Sequence, residues 1–260
     1  MSNELLERVK IPGEIVKLPS AGQFYEPGVL SEEVSNGEVM VYPMSAFEEI
    51  YMKNISEIIN GTAITKVFKR CIPQILKPEE LYGKDVDQLL LMLRKITYGS
   101  TTTITFKHNC KDAKNHKYDI NLNVLISATK YIDPTTVGSK YTVVMENGQV
   151  VTLQPIKFKD IMDLLSDTTD YEAANDITLK EKLLTSTVKL IKSVDEITDQ
   201  EKIEQWCRVI HKDWFHKISG AFSSEEEWGF DNHYVTKCLD CDQEISIEIP
   251  LNPMTFFLDS

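Results

Sequence analysis

The chain has 260 residues, 42% hydrophobic and 26% charged, with 11 Gly and 10 Pro. That length suits one large domain or two small ones, and the balance excludes disordered and collagen-like chains. Lys plus Arg number 28 against 40 Asp plus Glu, and residues 131–260 hold 12 bases and 24 acids, so they carry the whole net charge of −12; an acidic half repels nucleic-acid phosphate.

Met1 to Glu7 places acids where a secretory leader needs bases, with no apolar core behind them. The expectation is a protein made and kept in the cytosol. From Ile11 to Gly37 turn signals recur too often for a helix: Pro12-Gly13, Pro19-Ser20-Ala21-Gly22, Pro27-Gly28 and Asn36-Gly37. Between these turns and Tyr42 only Val39 to Tyr42 reads as a strand, so residues 1–43 are expected to form an extended arm.

Ser45, with Glu48 three residues on, predicts a capping box, and Phe47, Ile50, Tyr51 and Ile55 follow at helical spacing to a stop at Asn60-Gly61. Thr62 to Cys71 predicts a second helix, bounded by Pro73. Asp85 to Tyr98 predicts a third, with Val86, Leu89, Leu90, Leu93 and Ile96 on one broad face and Gly99 at its end. Its apolar run Leu89 to Leu93 is far too short to span a membrane. Residues 44–99 thus read as a helical subdomain.

Thr101 to Phe106 is β-branched and aromatic, and Tyr118 to Leu122 alternates as its antiparallel partner. Tyr141 to Glu146 and Gln149 to Leu153 flank Asn147-Gly148, a hairpin turn signal that supplies positive φ. Helices are expected near 158–166, 177–192 and 199–216, and a last hairpin from His233 to Lys237 and Glu244 to Ile249. The fold class is α+β: a helical subdomain, a zinc-ribbon-like antiparallel sheet from residues 100–135 and 233–258, and a β-hairpin with helices over 140–232.

Cys238-Leu239-Asp240-Cys241 lies between two strands, where two thiolates on a tight turn can reach one tetrahedral ion. A thioredoxin-like redox pair would open a helix, whereas residues 242–247 alternate as a strand. The second ligand pair comes from the connection that carries His108, Cys110 and His116. Thiolate preference and the need for four ligands favour Cys110, His116, Cys238 and Cys241 around a structural Zn2+, with His108 in reserve. Cys207 and His211 share a helix with Trp206 and Trp214 and read as core packing, and Cys71 as a small buried hydrophobe. No phosphate-binding glycine loop, no nucleophile elbow and no HExxH is present. The chain is therefore not expected to be an enzyme or to bind a small-molecule substrate.

Read together, several segments resemble the baseplate proteins of T-even-type contractile-tailed phages. They are Leu18 to Tyr25, Gly37-Glu38-Val39, Tyr42-Pro43-Met44, Asn60 to Ile64, Cys71-Ile72, Leu93 to Gly99, Cys238 to Cys241, and Asn252 to Phe257. The resemblance implies a baseplate hub subunit, or a protein that helps assemble the hub, with other hub and baseplate subunits as partners. It implies a place in the host cytoplasm during assembly, followed either by a place in the virion tail baseplate or, for an assembly factor, by departure. The family often has cysteine pairs in both halves of its ribbon; here the first half offers only Cys110. In such a role the extended arm would lie along a neighbouring subunit with Phe24 and Tyr25 as interface anchors, and removing residues 1–30 would leave a folded, zinc-loaded chain. The alternative reading is a zinc-ribbon nucleic-acid-binding module, supported by Lys107, Lys111, Lys114 and Lys117.

Overall fold

Why the first core forms around one helix follows from its side chains. In the computed structural model, which describes residues 11–110, 114–135, 141–166, 176–223, 228–249 and 251, α4 (Gly83–Tyr98) buries Val86 and Leu89 to Leu93. A helix apolar on so much of its circumference must be surrounded. Three shorter helices share its core, through Tyr51, Ile58, Ile64, Val67 and Phe68. These helices are α1 (Ala46–Tyr51), α2 (Ile55–Ile59) and α3 (Thr62–Cys71).

The capping box at α1 is present: Ser45 caps Phe47 N–H, and the Glu48 carboxylate returns to the Ser45 backbone and reaches Arg70. Helix α3 buries Ala63, Ile64, Val67, Phe68 and Cys71, the i, i+4 stripe of an amphipathic helix. A fully buried aromatic such as Phe68 contributes about 2–3 kcal/mol by area alone.

Residues 11–41 differ from expectation. Strands β1 (Glu14–Lys17) and β2 (Glu38–Val41) pair antiparallel, Val16 facing Val39, and Val16, Leu18, Val39 and Val41 are all buried in the α4 core. This segment is part of the body and not an extended arm. Its turn-rich sequence reflects tight corners inside the fold.

Two further hairpins close the first core: β3 (Thr101–Phe106) with β4 (His116–Asn121), and β8 (His233–Lys237) with β9 (Glu244–Glu248). The short helix α5 (Leu122–Ser127) follows β4, capped by Asn121.

A second core surrounds a three-stranded antiparallel sheet of β5 (Thr142–Val144), β6 (Val150–Leu153) and β7 (Ile191–Val194). Val143, Val151 and Val194 stand opposite one another across the three strands and are all buried. The turn at Asn147-Gly148 is longer than the two residues expected. Met145 N donates to Gln149 O and Gly148 N to Met145 O; Gly148 alone takes positive φ, 85°. That is a type I turn closed by a glycine bulge.

Helices α6 (Phe158–Ser166), α7 (Asp176–Lys189), α8 (Gln200–Val209) and α9 (Lys212–Ser223) complete the chain. Two expectations are corrected here. The helix expected to run to 192 stops at Lys189, and Ile191–Val194 is a strand. The helix expected over 199–216 is two, separated where Ile210 turns extended.

Residues 18–25 and 81–85 form the seam between the cores. Leu18 and Leu81 belong to the first core, Ala21 and Tyr82 to the second. Tyr25 stacks on Tyr82 at 4.7 Å, while Phe24 meets Tyr141 edge-on at 4.6 Å. Phe24 holds a φ of 69°, a costly conformation for a bulky residue. Its carbonyl accepts the Tyr82 hydroxyl proton at 3.0 Å.

Candidate metal centre

The two halves of the candidate centre are fixed by strand register. Phe106 stands opposite His116 at the open end of the β3–β4 ladder, so His108 and Cys110 fall in the connection between them. Cys110 N–H donates to His108 O at 3.0 Å, turning the backbone tightly between the two donors. On the other hairpin Lys237 stands opposite Glu244, and the intervening knuckle is held by Cys238 N to Gln243 O and Asp242 N to Cys238 O, 2.8 and 2.9 Å.

Packing beneath the hairpins brings the two knuckles together. Tyr118 and Ile120 of β4 share the first core with Ile245 and Ile247 of β9. The Tyr118 hydroxyl accepts the backbone N–H of Leu239 at 3.3 Å.

His108, Cys110, Cys238 and Cys241 are thereby brought to one point, their donor atoms all within 4.8 Å of one another. Cys241 Sγ lies 3.5 Å from His108 Nδ1. Among the described residues this is the one group of three or more His, Cys, Asp or Glu that could hold a metal ion.

The electrostatics favour one thiolate to begin with. Burial opposes ionisation of Cys238, but the N–H groups of Asp240 and Cys241, together with the Cys241 thiol and the His108 ring, bring the thiol down to about 6. Cys110 is pushed up to about 11, first by desolvation and then by the sulfurs of Cys241 and Cys238. Three sulfurs and one imidazole nitrogen at this spacing fit a tetrahedral zinc, whose thiolates sit about 2.3 Å from the ion.

His116, expected as the fourth ligand, is elsewhere. It is the first residue of β4, so the ladder fixes its direction, and its Nε2 lies 2.8 Å from Asp240 Oδ1. His108 occupies the fourth donor position instead. The signal for this was present in the sequence: His108 and Cys110 are two residues apart, beyond the end of a strand, where a turn can bring both inward.

The remaining candidates lie away from this point. Cys207 is buried in the second core and its thiol is pushed up to about 11 by that burial. His211 is exposed beside Asp213. Cys71, the last residue of α3, is buried in the first core and pushed up to about 12, again chiefly by desolvation. Lys111 and the run Asn252 to Phe257 lie outside the described residues. Phe24 and Tyr25 are occupied within the chain, at the seam between the cores.

The whole is an α+β protein in which two hairpins distant in sequence converge on one candidate metal cage. A family model described as T4 bacteriophage base plate protein matches residues 17–258, and the chain belongs to that family. No curated protein and no solved structure matches the chain. Among the described residues no helix is long and apolar enough to cross a membrane. Membership of the family implies association with other phage structural proteins.

Proposed function

We propose that this chain is a non-enzymatic structural or assembly component of the baseplate hub of a contractile phage tail. In this reading a zinc ion held by His108, Cys110, Cys238 and Cys241 fixes its shape. The observation that carries the proposal is the cage itself, closed between His108 and Cys241, 133 positions apart, in a chain of the baseplate family.

Four protein donors fill a tetrahedral shell and leave no position for a substrate or a reactive water. Such an ion holds and does not react. Cross-linking a loop of more than a hundred residues removes about 4–5 kcal/mol of conformational freedom from the unfolded chain. A subunit that must present one rigid surface to its neighbours gains from that restraint.

Interface roles for Phe24 and Tyr25 draw no support from their placement between the cores. In this proposal the chain meets hub partners in the host cytoplasm and either remains in the tail or leaves after assembly. Mass spectrometry of baseplate intermediates and finished particles tests this. The chain is expected in hub-containing intermediates; its absence from every intermediate and from the particle would reject the role. A DNA shift at physiological ionic strength is expected to be absent, since the chain carries a net charge of −12 and the lysines near residues 107–117 face that acidic excess.

A further inference from the structure

The two knuckles belong to separate two-stranded sheets, so no ladder hydrogen bond ties them together. Apart from the approach of Cys110 and His108 to the other sulfurs, the polar links between them among the described residues are three. Leu239 N–H donates to Tyr118 Oη; the other two both end on Asp240. Its Oδ1 lies 2.8 Å from His116 Nε2, and its Oδ2 accepts the Lys114 backbone N–H at 3.1 Å.

A carboxylate only accepts hydrogen bonds, so the His116 proton sits on Nε2, pointing at Asp240. Most of both side chains is covered, with 26% of His116 and 16% of Asp240 exposed. Asp240 lies between the two cysteines of its knuckle, and both of its partners lie on the far side of the connection that carries Cys110. Pulling Asp240 away would remove both of these links, which the connection makes after Cys110.

We infer that Asp240 is a positioning residue for the metal centre: with His116 and the Lys114 amide it clamps the His108–Cys110 connection over the Cys238–Cys241 knuckle before any ion arrives. The inference rests on the four-donor reading of the cage. It assigns His116 to holding the ligands in place and gives Asp240 no bond to the ion. Its consequence is kinetic as well as thermodynamic. A cage kept closed without metal binds the ion at a prepared site and releases it slowly, because one broken ligand bond does not let the knuckles part. Loss of an outer partner of this kind weakens metal sites about 10- to 100-fold.

The test uses the full-length chain loaded with zinc and challenged with a chromophoric chelator. Asp240→Ala and His116→Ala are expected to release zinc about 10- to 100-fold faster than the parent, with X-ray absorption still showing three sulfurs and one nitrogen. Asp240→Asn, which keeps an acceptor for the Lys114 amide, should recover part of the difference. Release from Asp240→Ala within twofold of the parent would overturn the inference. So would loss of the nitrogen ligand in His116→Ala, which would make His116 a ligand.

Amide exchange in the metal-free chain separates this idea from the cage reading beneath it. Faster exchange at residues 114–118 in Asp240→Ala supports the clamp even if no metal binds, and unchanged exchange rejects it. A parent chain without affinity for zinc would reject the cage alone.

Discussion

Ser20 donates both its backbone N–H and its hydroxyl to the carboxylate of Asp85, at 2.9 and 2.5 Å, across 65 positions of sequence. Tyr25 adds its hydroxyl to the same carboxylate at 2.5 Å. One buried acid in the first turn of α4 thus satisfies three donors of the segment that joins the two cores. Truncating it leaves both Ser20 donors unpaired at a fully buried position and the Tyr25 hydroxyl unpaired at a partly buried one. Asp85→Ala should destabilise the chain by about 3–5 kcal/mol, read as a lowered urea midpoint, while Ser20→Ala, which removes one donor, should cost about 1–2 kcal/mol.

The same carboxylate gives a pH dependence of defined sign. Burial pushes Asp85 up to about 6 in spite of its donors, and pushes Asp87, two residues along, up to about 6 as well. Between the ordinary carboxylate value of about 4 and that raised value, the native chain binds more protons than the unfolded one. Stability from these groups therefore falls as pH rises through about 4 to 6 and is level above it. Measured in chelator, so that metal release does not intrude, the parent should lose about 3 kcal/mol relative to Asp85→Asn across that window. Parallel stability curves for the two proteins would contradict the assignment.

Gly37 ends the tight corner before β2 with a φ of 73°, and a Cβ there would lie 2.6 Å from both Ala21 C and Gly22 N. Those are backbone atoms of the seam and cannot swing aside. Gly37→Ala should cost about 2–4 kcal/mol, combining left-handed strain with overpacking. Gly28 also has positive φ, 82°, but nothing lies within 4 Å of its missing Cβ; Gly28→Ala should cost only the backbone term, about 1 kcal/mol. Thermal melts of the pair check the contrast.

Removing residues 1–30 should leave no folded protein, contrary to what the turn-rich sequence suggests. It takes away Val16, Leu18, Ala21 and Val29, all buried, together with every donor to Asp85. Far-ultraviolet circular dichroism and a urea titration should show a chain without a cooperative transition. A truncated chain that melts cooperatively near the parent would show that β1 and the seam are dispensable.

The signals legible in the sequence were those whose partners lie within a few residues. The Ser45–Glu48 box, the helix over Thr62–Cys71 and the glycine of the 145–149 turn each depend on local spacing, and each is found. The role of residues 18–25 was hidden because Asp85 and Tyr82 lie about sixty positions away, and proline and glycine mark a corner equally well in an arm or in a core. Strand β7 was missed because four residues that follow a helical stripe carry no period of their own. The pairing of Cys238 with Cys241 at one candidate site was legible from their spacing. The choice between His108 and His116 turned on where β4 begins, and a ladder boundary shifts by a residue or two in any reading from sequence alone.

The central claim is that His108, Cys110, Cys238 and Cys241 hold one ion between two hairpins. Metal analysis with X-ray absorption on the full-length chain, purified under reducing conditions without chelator, tests it most directly. The account predicts one zinc per chain, bound by three sulfurs at about 2.3 Å and one nitrogen at about 2.0 Å, with binding abolished in Cys238→Ser. A chain without tightly held metal, or an ion ringed by oxygen, would contradict it.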